Sequence, residues 1–231
     1  MIAVDIVNLP KGAPGYPSAL KQCLAEHAPA VITAVGNLDV LSNRSLALLC
    51  SVKCPGDVIL QAYDLACSLR DAGVTVVGGF HSPMERECLA VLLRGTQPIV
   101  ICPARSVENV RLPADLKPAL EAGRLLLLSP FPANQRRATA DLAQERNEFV
   151  AALADHVLIA HASPGGKLEA LARRVLGWGK PLFTLESERN AALLNLGARG
   201  VNPRGWGETF DRVHWLDWAS TDSERINGFG P

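Results

Sequence analysis

One stretch, residues 145–169, constrains the fold of this 231-residue chain more than any other. Its centre, residues 156–162, is a nearly unbroken apolar run of strand length, which is typical of a parallel strand covered on both faces. A Ser-Pro-Gly-Gly-Lys turn follows at residues 163–167, and apolar residues then recur at helical spacing over residues 168–176. The stretch therefore predicts a buried strand, a tight glycine turn and the N-terminus of a helix.

A strand, a glycine turn and a helix N-terminus can together bind an anion. Glycines allow the backbone to approach a phosphate, free N–H groups point outward, and the helix dipole favours negative charge. Gly165 and Gly166 are the candidate backbone donors, and Lys167 would add a full positive charge. The alternative is an ordinary strand–helix loop in which the two glycines only solve a turn.

The same alternation of strand-like and helix-like runs extends over most of the chain. Strand-length apolar runs occur at residues 46–51, 74–78, 98–102, 125–128, 156–162 and 181–185, with helical spacing between them. Six strands separated by helices predict an α/β protein with a doubly wound, mainly parallel sheet and helices on both faces. Because residues 30–35 form one more short apolar run, we expect about six or seven strands.

The chain divides into three segments on this pattern. We expect residues 1–44 to be a lead-in packed on the core, and residues 45–200 to form the core domain. Residues 201–231 hold three of the four tryptophans and are expected to be a tail rather than a separate domain. Such a tail most often packs over a sheet edge or a dimer partner, although aromatic side chains near Arg204 and Arg212 could stack on bases.

Composition argues against several classes of protein. The chain has 23 basic residues (Lys and Arg) and 23 acidic residues (Asp and Glu), so its net charge is zero. This argues against a protein that coats nucleic acid indiscriminately, but it is compatible with a local basic groove. The six cysteines include no Cys-x-x-Cys pair, which favours free thiols over a zinc site. We therefore expect no metal and no cofactor. No signal peptide is visible and no apolar run approaches roughly 20 residues, so we expect a cytoplasmic protein with no membrane association.

In a doubly wound sheet the ligand lies outside the carboxyl ends of the strands, so the loops that follow the strands hold the remaining candidates. Those in the first three loops of the alternation are Ser51, Lys53, Gly78, Gly79, His81 and Arg105. The cations could bind phosphate or simply be solvated, and the histidine could be a base, a phosphate donor or only a satisfied side chain. Ser82 and Glu85 have the spacing of a helix-capping box.

Arg146 and Asn147 form the most informative pair. Arg146 lies one helical turn from both Leu142 and Val150, so it falls near the apolar stripe of its helix. An arginine directed inward requires an anionic partner, which could belong to the protein or to a ligand. Asn147 adds an amide that can hydrogen-bond beside it.

Three motifs carry a family resemblance. Tyr16-Pro17 through Ala34-Val-Gly-Asn-Leu38 resembles a "YP…L…GN" lead-in, and Arg146-Asn147 with residues 151–158 resembles an "RN…AGLSDAVLVV" signature. Residues 191–198 resemble a closing "N.LI..GA" turn. In this order they resemble the DNA-processing protein A family (DprA, also called Smf), within the superfamily that includes the LOG phosphoribohydrolases.

The resemblance implies a Rossmann-like core that binds single-stranded DNA in a positively charged pocket at this sheet edge. It further implies a homodimer that helps to load a recombinase in natural transformation. Ser51 and Lys53 fall in the family's "GSR" loop and Gly79 in its "SGLARGID" loop. In the first of these loops, Cys50 stands in place of the glycine and Lys53 in place of the arginine. In the second loop, Ser82 stands in place of the arginine, so a phosphate contact is expected to be lost.

The LOG comparison supplies an alternative, a nucleoside-monophosphate phosphoribohydrolase. Pro164-Gly-Gly matches part of the LOG glycine motif, but Asn147 stands where the lysine of the LOG Arg-Lys pair belongs. Ala172 stands where the catalytic glutamate belongs, although Glu169 could substitute. Losing that carboxylate disfavours hydrolysis, so no catalytic residue is assigned. A further alternative is a sensor that binds a nucleotide. Single-stranded DNA remains the leading ligand.

Overall fold

The computed structural model describes residues 6–108 and 110–203, which are built around a nine-stranded sheet. The strands are β1 (Ile6–Pro10), β2 (Val31–Gly36), β3 (Ser45–Cys50), β4 (Thr75–Gly78), β5 (Ile99–Ile101), β6 (Leu125–Ser129), β7 (His156–His161), β8 (Leu182–Leu185) and β9 (Arg199–Val201). Their order across the sheet is β1-β2-β6-β5-β4-β3-β7-β8-β9.

The pairings confirm the predicted α/β, mainly parallel, Rossmann-like sheet. Strands β3 to β9 pair in parallel, whereas β2 is antiparallel to both β1 and β6. The expected number of strands, six or seven, was too low because β1 and β9 were not predicted. Each is short and lies at a sheet edge. In β1, Ile-Val-Asn-Leu-Pro, only Leu9 is buried, and β9 is only Arg-Gly-Val.

Helices cover both faces of the sheet, as predicted. They are α1 (Ser18–Leu24), α2 (Gly56–Leu69), α3 (Pro83–Leu92), α4 (Lys117–Glu121), α5 (Ala140–Leu153), α6 (Lys167–Gly177) and α7 (Ala191–Leu196). Short 3₁₀ helices occupy Ala25–His27, Leu38–Ser42, Ala114–Leu116 and Glu188–Asn190.

Two hydrophobic clusters form because successive residues of a strand point to opposite faces. Leu46 and Leu48 of β3 pack with the buried residues of α2 and α3. Ala47 and Leu49 of the same strand pack with those of α1, α5, α6 and α7. Every residue of β7 is buried, which confirms that the apolar run at residues 156–161 is a strand covered on both faces.

The segment predicted as a lead-in contributes directly to the sheet and to one layer. It supplies β1 and β2, and α1 contacts α5. The division at residue 44 therefore stays a prediction. Of the predicted tail, Val201 is the last residue of β9, and residues 204–231 lie outside the described residues. No helix in the described part of the chain is both long enough and apolar enough to cross a membrane.

Candidate functional site

The carboxyl ends of β4, β3 and β7 lie side by side, and hydrogen bonds join the loops that follow them. The Ser51 hydroxyl, just after β3, accepts from the amide of Ser163, just after β7, at 3.0 Å. The Ser51 amide donates to the His161 carbonyl at 2.9 Å. The sequence candidate Ser51 is therefore placed beside the glycine turn, where its hydroxyl orders the backbone of the neighbouring loop.

Glu85 joins the β3 and β4 loops. The predicted capping box is present at the start of α3: the Glu85 amide donates to the Ser82 hydroxyl, and the Ser82 amide donates to the Glu85 carboxylate. The same carboxylate also accepts from the amides of His81, at 2.8 Å, and Cys50, at 2.9 Å. Sequence reasoning identified the cap and missed the contact with Cys50, because the two residues are 35 positions apart and no local pattern joins them.

Arg146 is buried beneath this edge. It projects from α5 and is only 3% exposed. Its Nη1 donates to the carbonyl oxygen of Cys102, after β5, at 3.0 Å, and its Nε donates to the Asn147 side-chain oxygen at 2.8 Å. The inward orientation predicted from the helical stripe is confirmed. The predicted neighbour, Asn147, holds the guanidinium in place.

Gly79, in the loop after β4, packs directly against this guanidinium. A Cβ atom at position 79 would lie 1.3 Å from Nη1 and 1.8 Å from Cζ of Arg146. Only glycine therefore leaves room for Arg146 in its observed position. The next residue, Phe80, is buried and has a φ of +47°, a conformation that stores strain and is common beside functional sites.

No carboxylate pairs directly with Arg146 among residues 6–108 and 110–203; both of its described partners are neutral oxygens. Burial lowers the pKa of Arg146, and the negative charge of Glu85 opposes that shift. Arginine remains protonated even when buried. The site therefore contains a buried cation whose described hydrogen-bond partners are neutral oxygens, and Glu85 compensates its charge only in part.

The glycine turn before α6 uses both of its predicted donors internally. Gly165, at a φ of +68°, donates its amide to the Glu169 carboxylate at 2.9 Å. The Gly166 amide donates to the Ser163 carbonyl at 2.9 Å. Glu169 also pairs with Arg173 at 2.7 Å, and these contacts lower the pKa of Glu169. A bound anion would have to displace Glu169 from the Gly165 amide.

The remaining cations lie at the surface. Lys53 and Arg105 are exposed, and their side chains form no hydrogen bond or ion pair within the described residues. Lys167 is also exposed, with its Nζ 3.9 Å from an Asp141 carboxylate oxygen. His81 contributes its backbone amide to Glu85 while its side chain is exposed. These side chains are exposed and therefore available to a ligand.

Gly78, at the end of β4, contributes close packing: a Cβ atom there would lie 3.0 Å from the Phe80 ring. All six cysteines are free thiols, as expected. No group of His, Cys, Asp and Glu side chains within the described ranges is arranged to hold a metal ion.

Comparison with protein families identifies the chain. The family model described as DNA recombination-mediator protein A matches residues 9–198. The chain belongs to this family. The match covers the lead-in, the RN signature and the closing turn from which the resemblance was inferred. A comparison with curated proteins finds no match.

Solved structures of the family share this fold. DNA processing protein A from Helicobacter pylori, studied for its single-stranded DNA binding mode, matches with a TM-score of 0.73 and 21% identity, over 91% of this chain and 97% of its own. DNA processing protein A (DprA) from Streptococcus pneumoniae matches with a TM-score of 0.71 and 18% identity, over 86% and 71%. A molybdenum cofactor binding protein from Rippkaea orientalis has a TM-score of 0.51 and 11% identity, over 73% and 96%. At these identities the likeness concerns the fold alone.

Proposed function

We propose that this protein binds single-stranded DNA through its phosphates at the carboxyl edge of β3, β4 and β7. The observation that supports the proposal most directly is Arg146, a buried cation whose two hydrogen-bond partners within the described ranges are neutral oxygens. A buried charge that no carboxylate contacts directly is costly, and a phosphate at the edge above it would lower that cost.

The other cations have a different role in this proposal. Lys53, on the loop after β3, and Lys167, the first residue of α6, are exposed, and they would contact the phosphates along the backbone of a flexible strand. Arg105 would extend the same path on the β5 side. Asn147 would fix the orientation of Arg146. A site with one buried cation and several exposed ones suits a polymer of phosphates, because it imposes little geometry on each contact.

Family membership supports the biological context that we propose for this binding. The chain would act as a homodimer in the cytoplasm, in DNA uptake or recombination, and would deliver single-stranded DNA to a recombinase.

The test is a fluorescence-anisotropy titration with a short single-stranded oligonucleotide at several salt concentrations. If several phosphates are neutralised, log K should fall with log salt with a slope of about −0.7 per phosphate. Arg146→Ala should weaken binding, whereas Arg94→Ala, an exposed arginine just after the C-terminal end of α3, should leave affinity unchanged. Circular dichroism checks that both variants remain folded.

A nucleoside monophosphate is the competitor in the same titration, and it tests the alternative of a small nucleotide pocket. Under the DNA proposal it displaces the oligonucleotide weakly. The proposal is wrong if the oligonucleotide does not bind, or if folded Arg146→Ala keeps the parent affinity. An increase in Tm with the monophosphate alone would favour the nucleotide pocket.

A further inference from the structure

Two cysteines bracket the loop between β3 and α2. Cys50 is the last residue of β3 and is buried, whereas Cys54 lies in the loop just before α2 and is partly exposed. Cys50 belongs to the hydrophobic cluster on the α2 and α3 side of the sheet, and Cys54 packs against the same cluster. The two side chains therefore approach one cluster from the two ends of a short loop.

The two thiols are hydrogen-bonded to each other. The backbone of Cys50 is held in place, because it pairs with His161 of β7 and its amide donates to the Glu85 carboxylate at 2.9 Å. Hydrogen-bonded sulfur atoms lie farther apart than the roughly 2.05 Å of a disulfide bond. A small movement of the loop that carries Cys54 is enough to close that difference while Cys50 stays in place.

The surroundings of Cys54 favour its thiolate. The hydrogen bond from Cys50 lowers the pKa of Cys54, although partial burial and the negative charge of Asp57 oppose the shift. Cys54 also lies two residues before Gly56, the first residue of α2, where the helix dipole favours negative charge. Because the thiolate is the nucleophilic form of cysteine, Cys54 is the member of the pair that reacts with an oxidant.

Cys50 has the opposite character. The hydrogen bond to Cys54 and burial raise the pKa of Cys50. Burial likewise raises the pKa of both Cys88 and Cys102 to about 12, so these enclosed thiols are unreactive. A partly exposed cysteine of lowered pKa beside a second cysteine is typical of a redox-sensitive pair, in which the first is oxidised and the second resolves it.

We propose that Cys54 and Cys50 form a site of oxidative modification, which a hydroperoxide converts into an intramolecular disulfide. The Cys54 thiolate attacks one peroxide oxygen, the O–O bond breaks, and Cys54 becomes a sulfenic acid while hydroxide leaves. The Cys50 sulfur then attacks the Cys54 sulfur, and the Cys50 proton passes to the departing hydroxide to give water. In total, two thiols lose two electrons and two protons, and one peroxide becomes two waters.

The disulfide closes a ring around Ser51, Val52 and Lys53. The oxidation state of the two cysteines then determines the shape of the loop that carries these residues, and a dithiol reductant reverses the change. The inference does not rest on the proposed DNA function, because it concerns only the chemistry of the two thiols.

The test treats the folded, fully reduced chain with hydrogen peroxide, blocks the remaining thiols with N-ethylmaleimide and digests the product with trypsin. Cleavage after Lys53 separates the two cysteines, so the disulfide links the peptide of residues 45–53 to that of residues 54–70. Fragmentation distinguishes Cys54 from Cys67, which shares its peptide. We expect the linked pair as the main product, released by a dithiol, with no cross-linked dimer on a non-reducing gel.

Three variants test the roles within the pair. Cys54→Ser should abolish the linked peptides and leave Cys50 unoxidised. Cys67→Ser is the matched control at another partly exposed cysteine, and it should leave their yield unchanged. In Cys50→Ser the resolving thiol is missing, so dimedone should trap a sulfenic acid at Cys54. Circular dichroism checks that each variant remains folded.

Any of three results overturns the proposal. The first is a folded parent chain that yields no linked peptides under peroxide. The second is an unchanged yield in Cys54→Ser, or fragmentation that places the bond at Cys67. The third is a disulfide that joins two chains instead of two residues of the same chain.

Discussion

Replacing Gly79 by Ala tests the position of Arg146 without removing its charge. The new Cβ atom would lie 1.3 Å from Nη1, whereas carbon and nitrogen normally approach no closer than roughly 3.5 Å. The guanidinium must therefore move by about 2 Å. That movement breaks its hydrogen bonds to the Cys102 carbonyl and the Asn147 side chain, which are 3.0 and 2.8 Å long.

The expected loss of stability follows from these two hydrogen bonds. A hydrogen bond to a charged group contributes about 1.5–3 kcal/mol, and the displaced guanidinium recovers part of this through hydration. We expect Gly79→Ala to lower the free energy of unfolding by about 3 kcal/mol. In an Arg146→Ala background the three atoms nearest to the new Cβ are removed, and the same substitution should change stability by less than about 1 kcal/mol.

Urea unfolding of the four proteins of this double-mutant cycle measures the coupling energy, which we expect to be about 2 kcal/mol or more. Gly177→Ala is the control, since a Cβ atom there meets nothing within 4 Å. The anisotropy titration should show Gly79→Ala weakening oligonucleotide binding about as much as Arg146→Ala. If Gly79→Ala lowers the free energy of unfolding equally in the parent and in the Arg146→Ala variant, the reasoning is wrong.

Three other substitutions test the electrostatics and the loop connection. Burial lowers the pKa of His156 from its ordinary 6.5 to about 4. Between these pH values the unfolded chain binds more protons than the folded chain. The free energy of unfolding therefore falls as the pH drops through this range, by at most about 3 kcal/mol. His156→Phe should flatten the dependence in urea titrations at several pH values, and an unchanged slope would assign it to other groups. Glu85→Ala removes the acceptor of three amides, so it should lower the free energy of unfolding by about 3 kcal/mol and weaken oligonucleotide binding. Ser82→Ala should lower the free energy of unfolding by only about 1 kcal/mol. Similar losses of stability for both variants would show that Glu85 acts only as a capping residue.

Within the site, sequence reasoning succeeded where the signal was local. The orientation of Arg146 followed from its distance of one turn from Leu142 and Val150, and the capping box followed from the spacing of Ser82 and Glu85. Outside the site, sequence reasoning failed where partners are distant. Lys180 is buried and donates to the carbonyls of Ala151, Ala152 and Ala154, and no local pattern indicated this. Long-range contacts depend on packing, which local periodicity does not encode.

The sequence by itself determined the α/β class and the parallel core, because apolar runs of strand length and helical spacing report burial residue by residue. It also determined which loops carry the candidate residues, since these follow from strand direction. Only the tertiary structure decided the order of the strands, the antiparallel insertion of β2 beside β6, and the addition of β1 and β9, because edge pairing depends on free backbone groups and not on side-chain pattern. The tertiary structure also decided that the Glu169 carboxylate accepts a hydrogen bond from the Gly165 amide, and that Arg146 packs against Gly79 and donates to the Cys102 carbonyl. Both arrangements depend on how the loops and helices pack in three dimensions.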